Sequence, residues 1–163
     1  EIRAWHTTIK TNLISTYDVV RLCLPALRQS EDGRILLFAG GGAFTARPHY
    51  SAYAAAKAGV VSLMETLAAE EERVTANAVS PGYVPTPMTG HPDMPSPEKD
   101  RAVVCVLQLL DPATRGLTGK TISAEYDDWH QITQDNVESL NDSLLGERHR
   151  YLLKIPVREA VSV

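Results

Sequence analysis

Three observations predict an α/β fold, part of a doubly wound parallel sheet. Helical and strand patterns alternate along the chain, which is the order of a sheet with helical crossovers. The clearest strand candidate, RILLF at 34–38, is a short, continuous apolar run, the pattern of a strand buried on both faces. Gly- and Pro-rich connections follow the first two strand candidates, and in such sheets ligands sit beyond the carboxyl ends of the strands.

The elements follow in order. Residues 3–28 place Ile9, Leu13, Tyr17, Val20 and Leu24 at three- and four-residue spacing, an amphipathic helix. Glu31-Asp32-Gly33 is a turn into the strand at 34–38, and the Gly-rich AGGGAFTARPH connects it to a long Ala-rich helix over 50–72. A second strand over 73–80 ends at Pro81-Gly82. Six of the ten prolines then fall within 81–97, which predicts a long loop. Ser96-Pro97 opens a further helix running to about Leu110, a cap residue followed by Pro at the first helical position. GKTIS at 119–123 is a third short strand, and residues 124–163 read as an acidic C-terminal extension with a helix near 134–145. No internal repeat is present.

Composition bounds the function. With 163 residues, 44% hydrophobic and 22% charged, the chain has the material for one core or for part of a larger domain. No apolar stretch approaches the roughly 18–20 residues of a membrane helix, and the N-terminus lacks the basic-then-apolar pattern of a signal peptide. The expectation is a soluble, cytoplasmic protein without a membrane partner. The first residue is not Met, which predicts a processed or truncated chain. Residues 1–123 carry 12 acidic and 12 basic side chains, and residues 124–163 carry 8 and 4, so the net charge of −4 lies in the last segment. Nothing in that distribution would neutralise phosphates, which argues against a nucleic-acid partner. Cys23 and Cys105 lie inside apolar runs and read as buried thiols in a reducing compartment. The five histidines are scattered, so no metal site is expected.

The residue pattern most suited to chemistry is Tyr53 and Lys57, four apart near the start of the long helix and therefore on one face. An ammonium beside a phenol favours phenolate, lowering its pKa from about 10 toward the working range. A tyrosine so tuned exchanges a proton with an alcohol or carbonyl oxygen. On spacing alone, which occurs often by chance, the pair reads first as a half-buried tyrosine with a snorkelling lysine.

Trp5 with Asn12 seven residues on, GRILLF, SAYAAAKAG, the strand reaching Asn77, PGYVPT, and GLTGKTIS follow one another over about residues 3–123. Together they resemble the short-chain dehydrogenase/reductase family, from its middle to its C-terminus. The resemblance implies a Rossmann-type sheet and an NAD(P)-dependent oxidoreductase, using NAD or NADP, that interconverts a hydroxyl and a carbonyl group on a small-molecule substrate. By the same resemblance Tyr53 is the general acid/base, and Lys57 lowers its pKa and holds the nicotinamide ribose. Asn12 anchors a water in a proton relay to that lysine. Pro81, Gly82, Val84 and Thr86 border the nicotinamide and pyrophosphate. The helices at 3–28 and 50–72 correspond to those the family uses to pair subunits, which implies a homodimer or homotetramer.

Two departures qualify this. The substrate-orienting serine of the family lies thirteen residues before the tyrosine; here that position is Gly40, preceded by Ala39, and no hydroxyl residue occurs from Arg34 to Phe44. Backbone N–H groups of Gly40–Gly42 are the available substitute, since glycine lets a ligand approach the chain closely. The family's Gly-rich nucleotide loop, which precedes the asparagine, has no counterpart here, and Gly40–Gly42 is not one, because no helix opens directly after it. A catalytically impaired member serving as an oligomerisation or binding subunit is the alternative expectation.

Overall fold

The computed structural model describes residues 2–87 and 97–142. Helix α1 (Ile2–Ile9) passes through a π-helical turn (Lys10–Ile14) into α2 (Ser15–Leu27). Strand β1 (Gly33–Phe38), α3 (Ser51–Glu70), β2 (Val74–Ser80), α4 (Pro97–Leu110), β3 (Thr121–Ser123) and α5 (Val137–Asp142) follow. The three strands pair in parallel in the order β1-β2-β3, with Ile35 opposite Ala76, Leu37 opposite Ala78, and Ser80 opposite Ser123. The expected alternation and all three strands are present. Of the loop expected at 81–97 and the helix near 134–145, residues 88–96 and 143–145 lie outside the described residues, as do Ser96 and the rest of the expected extension.

Strand side chains alternate faces, and two cores result. On one face Ile35, Leu37, Val74, Ala76 and Ala78 pack against Val60, Val61, Met64 and Leu67 of α3 and Val20 of α2. On the other, Val79 and Ile122, with Leu36 beside them, meet Ala102, Cys105 and Leu109 of α4. Trp129, Ile132 and Val137 complete this second core, so the acidic stretch from residue 124 contributes to it as far as Val137. Both faces are covered, as the apolar strand runs require.

The cysteines part ways. Cys105 is a buried thiol as expected, but Cys23 is exposed: it lies on the outer side of α2, where only Val20 of that helix is fully buried. Its apolar neighbours Val19 and Leu22 are exposed too. An apolar run on a helix is thus no guide to burial when the helix touches the sheet along one narrow stripe.

Candidate active site

The carboxyl ends of the strands, Phe38, Ser80 and Ser123, open onto the segments 39–50, 81–87 and 124–128. Beyond β1 the chain continues the ladder for one residue, with the Ala39 amide donating to the Val79 carbonyl. Gly40 is buried and extended, and Gly41–Ala43 form a 3₁₀ turn closed by the Ala43 amide on the Gly40 carbonyl. Helix α3 then starts at Ser51, so Tyr53 occupies its first turn and points back toward Gly40.

The hydroxyl of Tyr53 stands 2.6 Å from where a Cβ on Gly40 would lie. The phenol therefore occupies the space that a serine side chain at residue 40 would need. Lys57 lies 5.8 Å from the Tyr53 ring centroid, and its Nζ donates to the Phe38 carbonyl at 2.9 Å. The four-residue spacing does bring the two side chains together. Burial holds the Lys57 ammonium below its ordinary pKa. Burial also pushes the Tyr53 phenol above its ordinary value, and the charge that pulls it back is that of Arg47. In this geometry the lowering expected from Lys57 is therefore not what sets the phenol.

Asn12 lies at the centre of the π-helical turn, a kind of irregularity frequent at functional sites. Its Nδ2 donates to the Thr8 carbonyl at 3.0 Å, and its own carbonyl accepts from Thr16 Oγ1 at 2.9 Å. The turn packs on α3 where Gly59 lacks a side chain: a Cβ there would come within 2.8 Å of Leu13. The small residues of α3 thus serve a contact within the chain. Asn12 is on the helix beside the Tyr53–Lys57 pair, with its side chain bonded to its own helix.

The loop residues sit at the end of β2. Pro81 is half-buried, and Gly82 is exposed in a left-handed turn at φ 78°, beneath the Glu125 carboxylate, whose Oε2 lies 3.0 Å from a would-be Cβ. Val84 packs against the second core, and Thr86 is half-buried. After β3 the chain turns sharply. Ser123 Oγ accepts from the amides of Glu125 and Tyr126, and the Ser123 amide donates to Asp127 Oδ2 at 2.7 Å. Burial pushes the Asp127 carboxyl up to about 6, against that backbone hydrogen bond. A cleft of about 260 Å³ opens between the starts of α1 and α3, with Trp5, Thr8, His49, Tyr50 and Tyr53 on its walls.

Sequence reasoning missed Arg47 and Glu125. Both lie in loops, where no periodicity links a residue to the site. Among the described residues no cluster of His, Cys, Asp and Glu is suited to a metal ion.

The sheet carries a tyrosine and a lysine on the helix that follows its first strand, and comparison with known proteins gives the family. The family model for short chain dehydrogenases matches residues 1–94; the chain belongs to that family. It is 38% identical over 89 residues to D-beta-hydroxybutyrate dehydrogenase of Rhizobium meliloti, covering 53% of this chain and 34% of that protein. It is 30% identical over 150 residues to the oxidoreductase UcpA of Salmonella typhimurium, covering 85% of this chain and 56% of the relative. A solved short chain dehydrogenase from Shigella flexneri, complexed with NADP, superposes with a TM-score of 0.69 at 25% identity, over 77% of this chain and 55% of that one. The chain thus spans between a third and just over half of the length of these proteins.

Proposed function

We propose that the protein is an NAD(P)-dependent oxidoreductase that interconverts a hydroxyl and a carbonyl group, with Tyr53 as the general acid/base. The observation that carries this reading is the seating of the Tyr53 hydroxyl against Gly40 at the carboxyl edge of the sheet, with Lys57 four residues on. A substrate oxygen lying over Gly40 would meet the phenol with no intervening side chain.

The nicotinamide half of the cofactor fits what is present. Gly82 is exposed just past the end of β2 with the Glu125 carboxylate over it, and Pro81, Val84 and Thr86 would flank a nicotinamide ring beside that turn. Lys57, with one of its three donors on the Phe38 carbonyl, keeps others for a ribose hydroxyl. The adenosine half finds no glycine-rich phosphate loop in these residues. When bound, the nicotinamide supplies or accepts the hydride. In oxidation the ionised Tyr53 oxygen takes the hydroxyl proton as the C–H electron pair leaves with the hydride; in reduction the phenol returns that proton to the carbonyl oxygen. Asn12 would act at one remove, through the helix that faces Lys57.

Tyr53→Phe in the complete protein tests the assignment. Turnover is expected to fall at least 100-fold with the thermal unfolding midpoint unchanged, and normal turnover would end the assignment. Lys57→Met is expected to raise the KM for the nicotinamide nucleotide at least severalfold, because the donors available to a ribose hydroxyl are lost. Gly40 in the serine position favours a second reading, a binding or oligomerisation subunit without catalysis. Absence of turnover in the parent protein with either cofactor, over a broad alcohol and carbonyl panel, would select it.

A further inference from the structure

The cleft of about 260 Å³ between the starts of α1 and α3 has no role in the reaction proposed above. Trp5, Tyr50 and Tyr53 stand among its walls. Trp5 and Tyr50 are 41% and 63% exposed, a large amount of aromatic surface to leave in water around one opening. The Trp5 ring is set edge-on by His6, with centroids 5.9 Å apart and planes at 76°. His49, at φ 70°, takes a left-handed turn uncommon for a residue with a side chain, and both it and Tyr50 line the cleft. Further along the two helices Leu13 seats on Gly59, which fixes α1 against α3 and makes the cleft a preformed gap between packed elements. Ala4 and Ala52 contribute only methyl groups to the walls, which keeps the gap open.

We propose that this cleft binds a neutral, planar aromatic molecule that carries one polar group. Its volume is below the roughly 300–1,000 Å³ of pockets for drug-sized ligands, so it admits a single ring system. Aromatic walls reward a flat occupant, because offset or edge-on ring pairs gain more than their buried area alone supplies. The Ser51 hydroxyl and the His49 imidazole are on the walls and engage no partner among the described residues, so either can take the polar group. No lysine, arginine, aspartate or glutamate lines the cleft, and a charged occupant would lose water there without gaining a counter-charge. The inference goes beyond the oxidoreductase reading, because it concerns binding alone and asks nothing of the Tyr53 hydroxyl.

Calorimetric titration of the full chain with benzamide, without cofactor, tests this. Saturable binding in the millimolar range is expected, as suits a ligand of so few atoms. Cyclohexanecarboxamide carries the same polar group on a puckered ring and is expected to bind at least about threefold more weakly. Benzoate is expected to be weaker by a similar factor. Ala4→Phe, which fills the cleft from an exposed position on α1, is expected to weaken benzamide at least about tenfold with the thermal unfolding midpoint unchanged. Trp5→Ala is expected to do likewise, whereas Trp5→Phe keeps part of the affinity because a ring remains. The inference is overturned if the parent shows no saturation, or if it binds cyclohexanecarboxamide or benzoate as tightly as benzamide. Undiminished benzamide binding by A4F overturns it as well. Turnover is not read, so this inference and the Tyr53 assignment fail separately.

Discussion

A tyrosine hydroxyl packed where a side chain at residue 40 would go makes Gly40 a sensitive position. Adding a methyl group there brings it within 2.6 Å of Tyr53 Oη, so the ring must swing away from the sheet edge. Gly40→Ala is therefore expected to lower turnover at least tenfold with little loss of stability, since the displaced atom is the far end of a side chain. Gly40→Ser is expected to do the same and recover only in part, because the hydroxyl it adds arrives with the same displacement. A serine variant faster than the parent by tenfold would show that Tyr53 tolerates the shift and that a donor was what the site lacked. Asp127 offers a pH-dependent counterpart away from the phenol. Its carboxyl is raised from 3.8 to about 6 in the folded chain, so the folded state holds the proton more tightly than the unfolded one. Stability then falls as pH rises from about 4 through 6. Asp127→Asn, which keeps an oxygen for the Ser123 amide, is expected to be more stable than the parent at pH 7.5, and the gap should close as pH drops toward 4. Urea unfolding at the two pH values measures this, and a gap that widens on acidification would contradict it. At this scale the sequence made the Tyr53–Lys57 pair legible, because helical spacing is local geometry. It did not show that Arg47, six residues before the tyrosine in a loop, lies over Gly41.

Among the elements, Arg34 binds the first strand to the end of the fourth helix. Its guanidinium holds Asp32 at 2.9 and 2.7 Å and donates to the carbonyls of Leu109 and Asp111 at 3.1 and 3.0 Å. The last carbonyls of a helix have no partner within it, and here a cation from β1 supplies one. The Arg34 side chain is only 11% exposed, so truncation removes hydrogen bonds shielded from water as well as charge, although the Leu109 and Asp111 carbonyls keep the Thr114 hydroxyl as a donor. Arg34→Met is expected to lower unfolding stability by about 1–3 kcal/mol, read by urea unfolding. A loss under about 0.3 kcal/mol would mean that water replaces the guanidinium freely. The strands were readable as apolar runs, because burial on both faces leaves no polar alternation to mistake. The π-helical turn at Lys10–Ile14 was not, since the residues that form it fit an uninterrupted helix equally well. What separates the two is the close approach of Leu13 to Gly59, a contact between elements. Trp129 and Ile132 escaped for the same reason: they enter the second core through a loop and a single 3₁₀ turn, which leave no period in the sequence.

For the whole molecule, the decisive feature is apolar surface that the described residues do not cover. Strand β1 stands at the edge of the three-stranded sheet, with one side paired to β2 and the other open. At its end Phe38 is 52% exposed. Helix α4 turns Val103, Val104, Leu107 and Leu110 outward, and α2 exposes Val19 and, at 80%, Leu22. Open strand edges and apolar stripes of this kind invite pairing with another chain. The two sets of side chains lie on helices that cover opposite faces of the sheet, so a single partner on one side would leave the other exposed. The 163-residue chain by itself is therefore expected to be a dimer or larger at micromolar concentration, and to bind nicotinamide nucleotides weakly, since it carries no glycine-rich phosphate loop. Sedimentation equilibrium and a cofactor titration measure both. Substituting Leu22 and Val19 together by Glu should weaken association if α2 carries it, whereas Leu107→Glu should do so if α4 does. A compact monomer at 10 times the concentration used for the parent titration, or tight nucleotide binding by that monomer, would show that these exposed faces are stable in water as they stand.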